Sequence, residues 1–263
     1  MEATSLKSSS PVIRMEGVAF SSIRDVSLVL GEGINWEVRP GDFWVIAGLQ
    51  GAGKSDFLLL AGGLMPPTAG DYWFCGEKMP IFEESRLKER LRLGLVFEGG
   101  RLFNQLTVRE NIALPLRYHR NLTTAQAEAQ VQALLEATEL TAFAESAPAV
   151  LGRNWQKRVG LARALALKPE LLLVDNPLGG LDLRHANWWL GMLDQLSRGE
   201  GMAEGKAITL VVTASDFRPW NGRARQFALL EKRQFRILGT WTQMEAAGDE
   251  LVLELLAAGA HSR

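Results

Sequence analysis

The chain holds a single cysteine, Cys75, which excludes an intrachain disulfide and a cysteine-built metal centre and fits a reducing compartment. No apolar run approaches the ~18 to 20 residues that cross a bilayer. Any membrane role is therefore expected to run through a partner. The opening residues, MEATSLKSSSP, lack an apolar h-region, so no secretory signal is read. Residues 1–10 are small, polar and serine-rich, and a disordered tail is expected there. The net charge is only −1, which leaves no general polyanion footprint, and nucleic acid is not expected as the main partner. Internal repeats and low-complexity segments are also absent.

What remains is a mixed composition, 47% apolar and 22% charged over 263 residues, ample for one large α/β core. VIRMEGVAF (12–20) and INWEVRPGDFWVIAG (34–48) are rich in β-branched and aromatic residues and predict strands, with RPGDF as a turn. A helix is predicted to open at Lys54, a short strand and turn at AGDYWFCGEKMP, and a strand at LRLGLVFE (91–98). From about 106 to 168 the apolar spacing is helical. Strands resume at LLLVDN and AITLVVTAS, RQFALLEKRQFRILG predicts a hairpin, and the tail predicts a helix. Strands alternating with helices argue for a parallel or mixed sheet covered on both faces.

Two motifs carry chemistry. GLQGAGKS (Gly48, Leu49, Gln50, Gly51, Ala52, Gly53, Lys54, Ser55) fits the phosphate-loop pattern and lies between a predicted strand and a predicted helix. In that setting the glycines let backbone N–H groups wrap a phosphate, and the helix N-terminus adds its positive dipole end. Lys54 is expected to reach the β and γ phosphates of ATP and Ser55 to bind Mg²⁺, with Asp56 following in the helix. The second motif, LLLVDN, ends an apolar strand in Asp175, placing a carboxylate for the same Mg²⁺. The next residue, where an ATPase usually holds the base that activates water, is Asn176.

These motifs, with a helical insert between them, resemble the nucleotide-binding subunit of an ABC transporter over about residues 12 to 245. RLFNQLTVRENIALPLRYH (101–119), preceded by Gly99 and Gly100, is most similar to the Mla-type phospholipid-transport ATPases; QKRVGLARALALKPELLLVD and GGLD resemble the helix after the signature motif and the D-loop. The resemblance implies a P-loop NTPase α/β fold: a RecA-like mixed sheet flanked by helices, an antiparallel β subdomain and an inserted helical subdomain. It implies one domain over 11–263, with its core at about 11–98 and 166–240, the helical part at about 99–165 and a C-terminal helix at about 242–259. It also implies a peripheral place on the cytoplasmic face of a membrane, an integral permease as partner, and a second ATP-binding subunit, identical or not. Phe20 is the candidate to stack on adenine; a core role on its strand is the alternative. Gly152, Arg153, Asn154, Trp155 and Asp182 are expected to face the partner's nucleotide.

The chain departs from that family where the chemistry is done. The Q-loop glutamine position holds Glu98, the signature reads Leu151-Gly152-Arg153-Asn154-Trp155, the catalytic glutamate position holds Asn176, and the switch histidine position holds Ala214. The only histidines are His119, His185 and His261, none at that strand end. Binding of ATP and Mg²⁺ is expected to survive and hydrolysis to be impaired, since a positioned base contributes typically ~10² to 10⁴ in rate. Glu98 is a further candidate metal ligand beside Ser55 and Asp175, and a candidate displaced base. Arg153 is a candidate arginine finger toward the partner. Two functional readings follow: a transport ATPase subunit, with lipids as a candidate cargo, or a catalytically inactive regulatory subunit beside an intact ATPase. A soluble role in repair or translation is disfavoured by the single nucleotide domain.

Overall fold

A computed structural model describes residues 10–78 and 87–257. Most of the expected tail, His261 and the end of the expected C-terminal helix lie outside the described residues.

In chain order the structure runs β1 (Ile13–Ser21), β2 (Val29–Val38), β3 (Phe43–Ala47), α1 (Lys54–Ala61), β4 (Ala69–Phe74), β5 (Glu77–Lys78), α2 (Leu87–Arg90) and β6 (Leu93–Val96). Then come α3 (Val108–His119), α4 (Thr124–Ala137), α5 (Arg153–Leu165), β7 (Leu171–Val174), α6 (Leu183–Arg198), β8 (Thr209–Ala214), β9 (Gln226–Glu231), β10 (Gln234–Gly239), α7 (Trp241–Ala246) and α8 (Glu250–Ala257).

Two sheets result. One is antiparallel, in the order β2-β1-β4-β5. The other has the order β10-β9-β3-β8-β7-β6, parallel except for its β10 edge. Residues of β3, β7 and β8 are buried without alternation, as strands covered on both faces require. β1 does alternate, but its register shifts between Met15 and Val18. The inward set moves from Ile13 and Met15 to Val18 and Phe20, because one extra residue exchanges the faces of a strand.

Capping boxes open α3, from Thr107 and Glu110, and α4, from Thr123 and Gln126, which satisfies the first free N–H groups of each. The fully buried Asn111 side chain accepts from Phe103 N–H and donates to the carbonyls of Phe103 and Thr107, fastening the approach to α3.

Two elements differ from the sequence reading. The strand expected over 91–98 stops at Val96, so Glu98 stands in the loop beyond the sheet. The helix expected over 242–259 is two helices, because Asp249 starts a second one: its Oδ1 accepts from Val252 N–H at 3.1 Å while its other oxygen pairs with Arg236 at 2.5 Å. The pair Trp188 and Trp189 divides as its helix requires, Trp189 in the core and Trp188 half-buried under the Arg158 guanidinium.

Candidate functional site

β3 delivers the chain into the loop 48–53, and α1 opens at Lys54. The cap of α1 is Gly53, at φ 90°, a left-handed conformation that a side chain resists. It offers no side-chain cap, so the first N–H groups of the helix are left for a ligand. Lys54 Nζ donates to the Gly48 and Leu49 carbonyls at 2.6 and 2.9 Å, folded back over its own loop. Burial pushes the Lys54 pKa down, and the nearby Asp175 and Glu98 charges pull it up. Asp56 turns aside from the loop, its Oδ1 accepting from Ile23 N–H at 2.9 Å.

A cavity of about 570 Å³ opens over this loop. Gln50, Gly51, Gly53, Lys54, Ser55 and Asp56 form one wall. Glu98, Arg153, Asn176, Gly179, Gly180 and Ser215 form the facing side, and Ser22, Leu28 and Leu30 form the remaining end. Gly48 and Ala52 shape the loop from behind: Gly48 is buried, and Ala52 N–H donates to Leu49 O at 3.2 Å.

The wall around Asn176 is held by side chains. Asp175 is 8% exposed and accepts the Thr213 hydroxyl at 2.7 Å on Oδ1. Thr213 in turn accepts from Asn176 N–H at 3.0 Å. Lys157, buried in α5, donates to the carbonyls of Asn176 at 3.0 Å and Gly179 at 2.9 Å. Burial depresses the Lys157 pKa, Glu98 and Asp175 oppose this, and Arg153 adds to it. Asn176 itself sits at φ 43°. Its Nδ2 donates to Glu98 Oε1 at 2.8 Å, across 78 residues of chain. A Cβ at position 179 would meet the Asn176 amide, so glycine there leaves room for that side chain.

The donor set fits Mg²⁺. Ser55 offers a hydroxyl, and Asp175 and Glu98 each have one oxygen engaged by the protein, leaving Oδ2 and Oε2. Such all-oxygen sets suit a hard cation that takes its other ligands from phosphate and water. Consistently, the described residues hold no cluster of three or more His, Cys, Asp or Glu that could cage a metal alone.

Of the other expected positions Phe20, Asn154 and Ala214 are buried, whereas Gly152, Arg153 and Asp182 are exposed. Phe20 has no exposed surface and packs edge-on against Phe57 at 5.8 Å, so it is a core residue and not a platform for adenine. The register shift in β1 is what turned it inward. Asn154 is buried and does not face outward toward a partner, whereas Trp155 is partly exposed. Asn154 is on the buried stripe of α5, with Nδ2 2.9 Å from His185 Nδ1, and Trp155 packs against Phe143 at 4.9 Å and His185 at 5.6 Å. Arg153 lines the cavity of its own chain. Gly152 is exposed as the cap of α5. Asp182 is exposed and caps α6, accepting from His185 N–H at 2.9 Å. Ala214 is buried at the end of β8, and it is Ser215 that reaches the cavity.

Residues the sequence reading passed over are Lys157, Thr213, Ser215, Leu28 and Leu30. One signal was available: Asn154, Lys157, Arg158, Leu161 and Leu165 share a helical stripe, which marks the two basic residues as inward.

Residues 32–179 match the family model described as ABC transporter. The chain is 34% identical over 200 residues to the intermembrane phospholipid transport system ATP-binding protein MlaF of Escherichia coli K12, covering 74% of this chain and 72% of that protein. It is 37% identical over 173 residues to the lipoprotein-releasing system ATP-binding protein LolD of Pseudomonas fluorescens, covering 65% and 76%. Against the sulfate/thiosulfate import ATP-binding protein CysA of Gloeobacter violaceus, identity is 39% over 165 residues, which spans only 44% of that protein. Among solved structures, the dimeric post-hydrolysis state of the ATP-binding cassette MJ0796 bound to ADP and Pi superposes with a TM-score of 0.74 at 27% identity, over 84% of this chain and 95% of that one. The fold is that of the ABC cassettes, a P-loop NTPase α/β architecture, and the chain belongs to the ATP-binding family of ABC transporters.

Proposed function

We propose that this chain is a subunit of a transport system that binds ATP with Mg²⁺ in the cavity over Gly48–Ser55 and cleaves it slowly. The observation that carries this reading is the Asn176 side chain, which donates to Glu98 where a water-activating carboxylate is expected. An amide fixed as a donor can orient but cannot accept a proton, so binding is retained and turnover falls. Lys54, Gln50 and the loop N–H groups hold the phosphates. Ser55, Asp175 and Glu98 are the oxygen ligands available to Mg²⁺, which when bound would screen phosphate charge.

The names of MlaF and LolD support lipid or lipoprotein transport as the setting, and the dimeric MJ0796 cassette supports pairing with a second ATP-binding subunit. No helix among the described residues is long and apolar enough to cross a membrane, so we assign the membrane step to a permease and this chain to a peripheral place on the cytoplasmic face. The cleft of about 400 Å³ lined by Leu91, Leu93, Leu114, Pro115 and Tyr118 is the surface we assign to that permease. It flanks β6, the strand that leads to Glu98.

Phosphate release from Mg-ATP, measured beside Lys54→Ala with nucleotide binding determined separately, tests the reading. Slow release above the Lys54→Ala background, with binding intact, is the expected outcome. Release equal to that background with binding intact makes the chain a regulatory subunit beside an intact ATPase. Absence of nucleotide binding overturns the reading altogether.

A further inference from the structure

A polyphosphate seated on the 48–55 loop with its terminal phosphate toward Glu98 and Asn176 leaves one end of the cavity for the base. That end is lined by Ser22, Leu28 and Leu30. Leu30 rests on the phosphate loop: a Cβ at Gly53 would come within 3.0 Å of its Cβ and Cδ1. Leu28 is 49% exposed. The segment that presents it is fastened at several points. Ser22 N–H donates to Leu28 O at 2.9 Å, Leu28 N–H to Asp25 O at 3.0 Å, and Ile23 N–H to the Asp56 carboxylate at 2.9 Å. The Ser22 hydroxyl oxygen accepts from Arg24 N–H at 3.2 Å. Among the described residues lining the cavity there is no aromatic ring, and Phe20 is sealed behind the sheet.

From this geometry we propose that the site selects its ligand by the triphosphate and is permissive toward the base, taking purine and pyrimidine nucleoside triphosphates with similar affinity. The inference rests on the nucleotide-binding reading above and deepens it. Stacking of a base on an aromatic ring adds to affinity, and that contribution differs between large and small bases. Two leucines supply area but no π-face. Strong rejection of a wrong base needs several buried donors and acceptors aimed at its edge, and this end offers one half-buried serine hydroxyl beside two leucines. The phosphate end, by contrast, is all charge and N–H groups and recognises every nucleoside triphosphate alike.

The test is displacement of a ribose-labelled nucleotide from the full chain by ATP, GTP, CTP, UTP and inorganic tripolyphosphate, each with Mg²⁺. The four nucleotides are expected within about threefold of one another, with tripolyphosphate competing. Leu28→Trp, at a half-exposed position that spares the core, is expected to raise purine affinity about three- to tenfold and leave tripolyphosphate unchanged. A preference above about tenfold for one base in the unaltered chain overturns the inference, as does a flat response to Leu28→Trp. Either failure leaves the nucleotide-binding reading standing provided Lys54→Ala weakens all five ligands together. If none of the five binds the unaltered chain, the nucleotide reading falls and this inference with it.

Discussion

Lys54 and Asn176 line the same cavity, yet their surroundings are made of different material. Around Lys54 the groups are mainly backbone: the uncapped first turn of α1 and a loop whose Gly48 and Leu49 carbonyls accept from the lysine. Around Asn176 the work falls to side chains: Thr213 fixes the backbone N–H, Lys157 fixes the carbonyl, and Glu98 fixes the amide. A backbone cradle survives most substitutions that keep its glycines, lysine and hydroxyl. A side-chain network changes its chemistry with one residue. The two walls of the cavity are therefore expected to tolerate substitution differently.

The comparison breaks first, and most visibly, in the exchange Glu98→Gln with Asn176→Glu. It returns a carboxylate to the position after Asp175 and is expected to raise phosphate release by about 10²-fold. No gain would mean that Asn176 does not limit turnover and would point instead to the first turn of α5, where Asn154 is buried, or to Ala214. Next, Lys54→Ala is expected to weaken nucleotide binding on the order of 10²-fold, from lost charge-assisted contacts, as read by displacement of a labelled nucleotide. Lys157→Met tests the facing wall: three carbonyls, of Asn176, Pro177 and Gly179, lose their donor. A loss of about 2 to 3 kcal/mol in urea unfolding is expected, with little change in nucleotide affinity.

Smaller effects sharpen the contrast. Because Arg153 lines its own chain's cavity, Arg153→Ala is expected to weaken nucleotide binding about threefold at every protein concentration. An effect seen only at concentrations where the chain dimerises would return Arg153 to the partner's site. The smallest effect concerns acid. At the far end of β6 and β7, Arg92 hydrogen-bonds Glu170 at 2.9 Å and holds its carboxyl below the ordinary value of 4.5. The folded pKa is thus lower than the unfolded one, so this stabilisation is present above pH 4.5 and lost as pH falls through the folded value. Glu170→Gln is expected to flatten that acid limb of thermal stability slightly, since both side chains are more than a third exposed.

Much of the site could be read without coordinates because it is contiguous. A strand, a glycine loop and a helix start lie within a dozen or so residues around Lys54, and β7 runs directly into Asp175 and Asn176. Phe20 shows where such reading stops. Alternation along β1 requires a buried face, but the bulge after Met15 decides which residues take it, and that depends on pairing with β2 and β4. Arg153 shows the same limit on a helix: the spacing of α5 marks its buried stripe, but not which cavity its exposed side borders.

The sequence by itself determined the phosphate loop, the acidic strand end and the asparagine after it, because each is a matter of residue identity at adjacent positions. Only the tertiary structure decided that Glu98 and Asn176 are hydrogen-bonded, that Lys157 reaches the carbonyls of the turn after Asn176, and that Leu28 and Leu30, not Phe20, line the cavity. Those contacts join residues far apart in the chain, and their geometry is set by how β6, β7, β8 and α5 pack together, which no local pattern encodes.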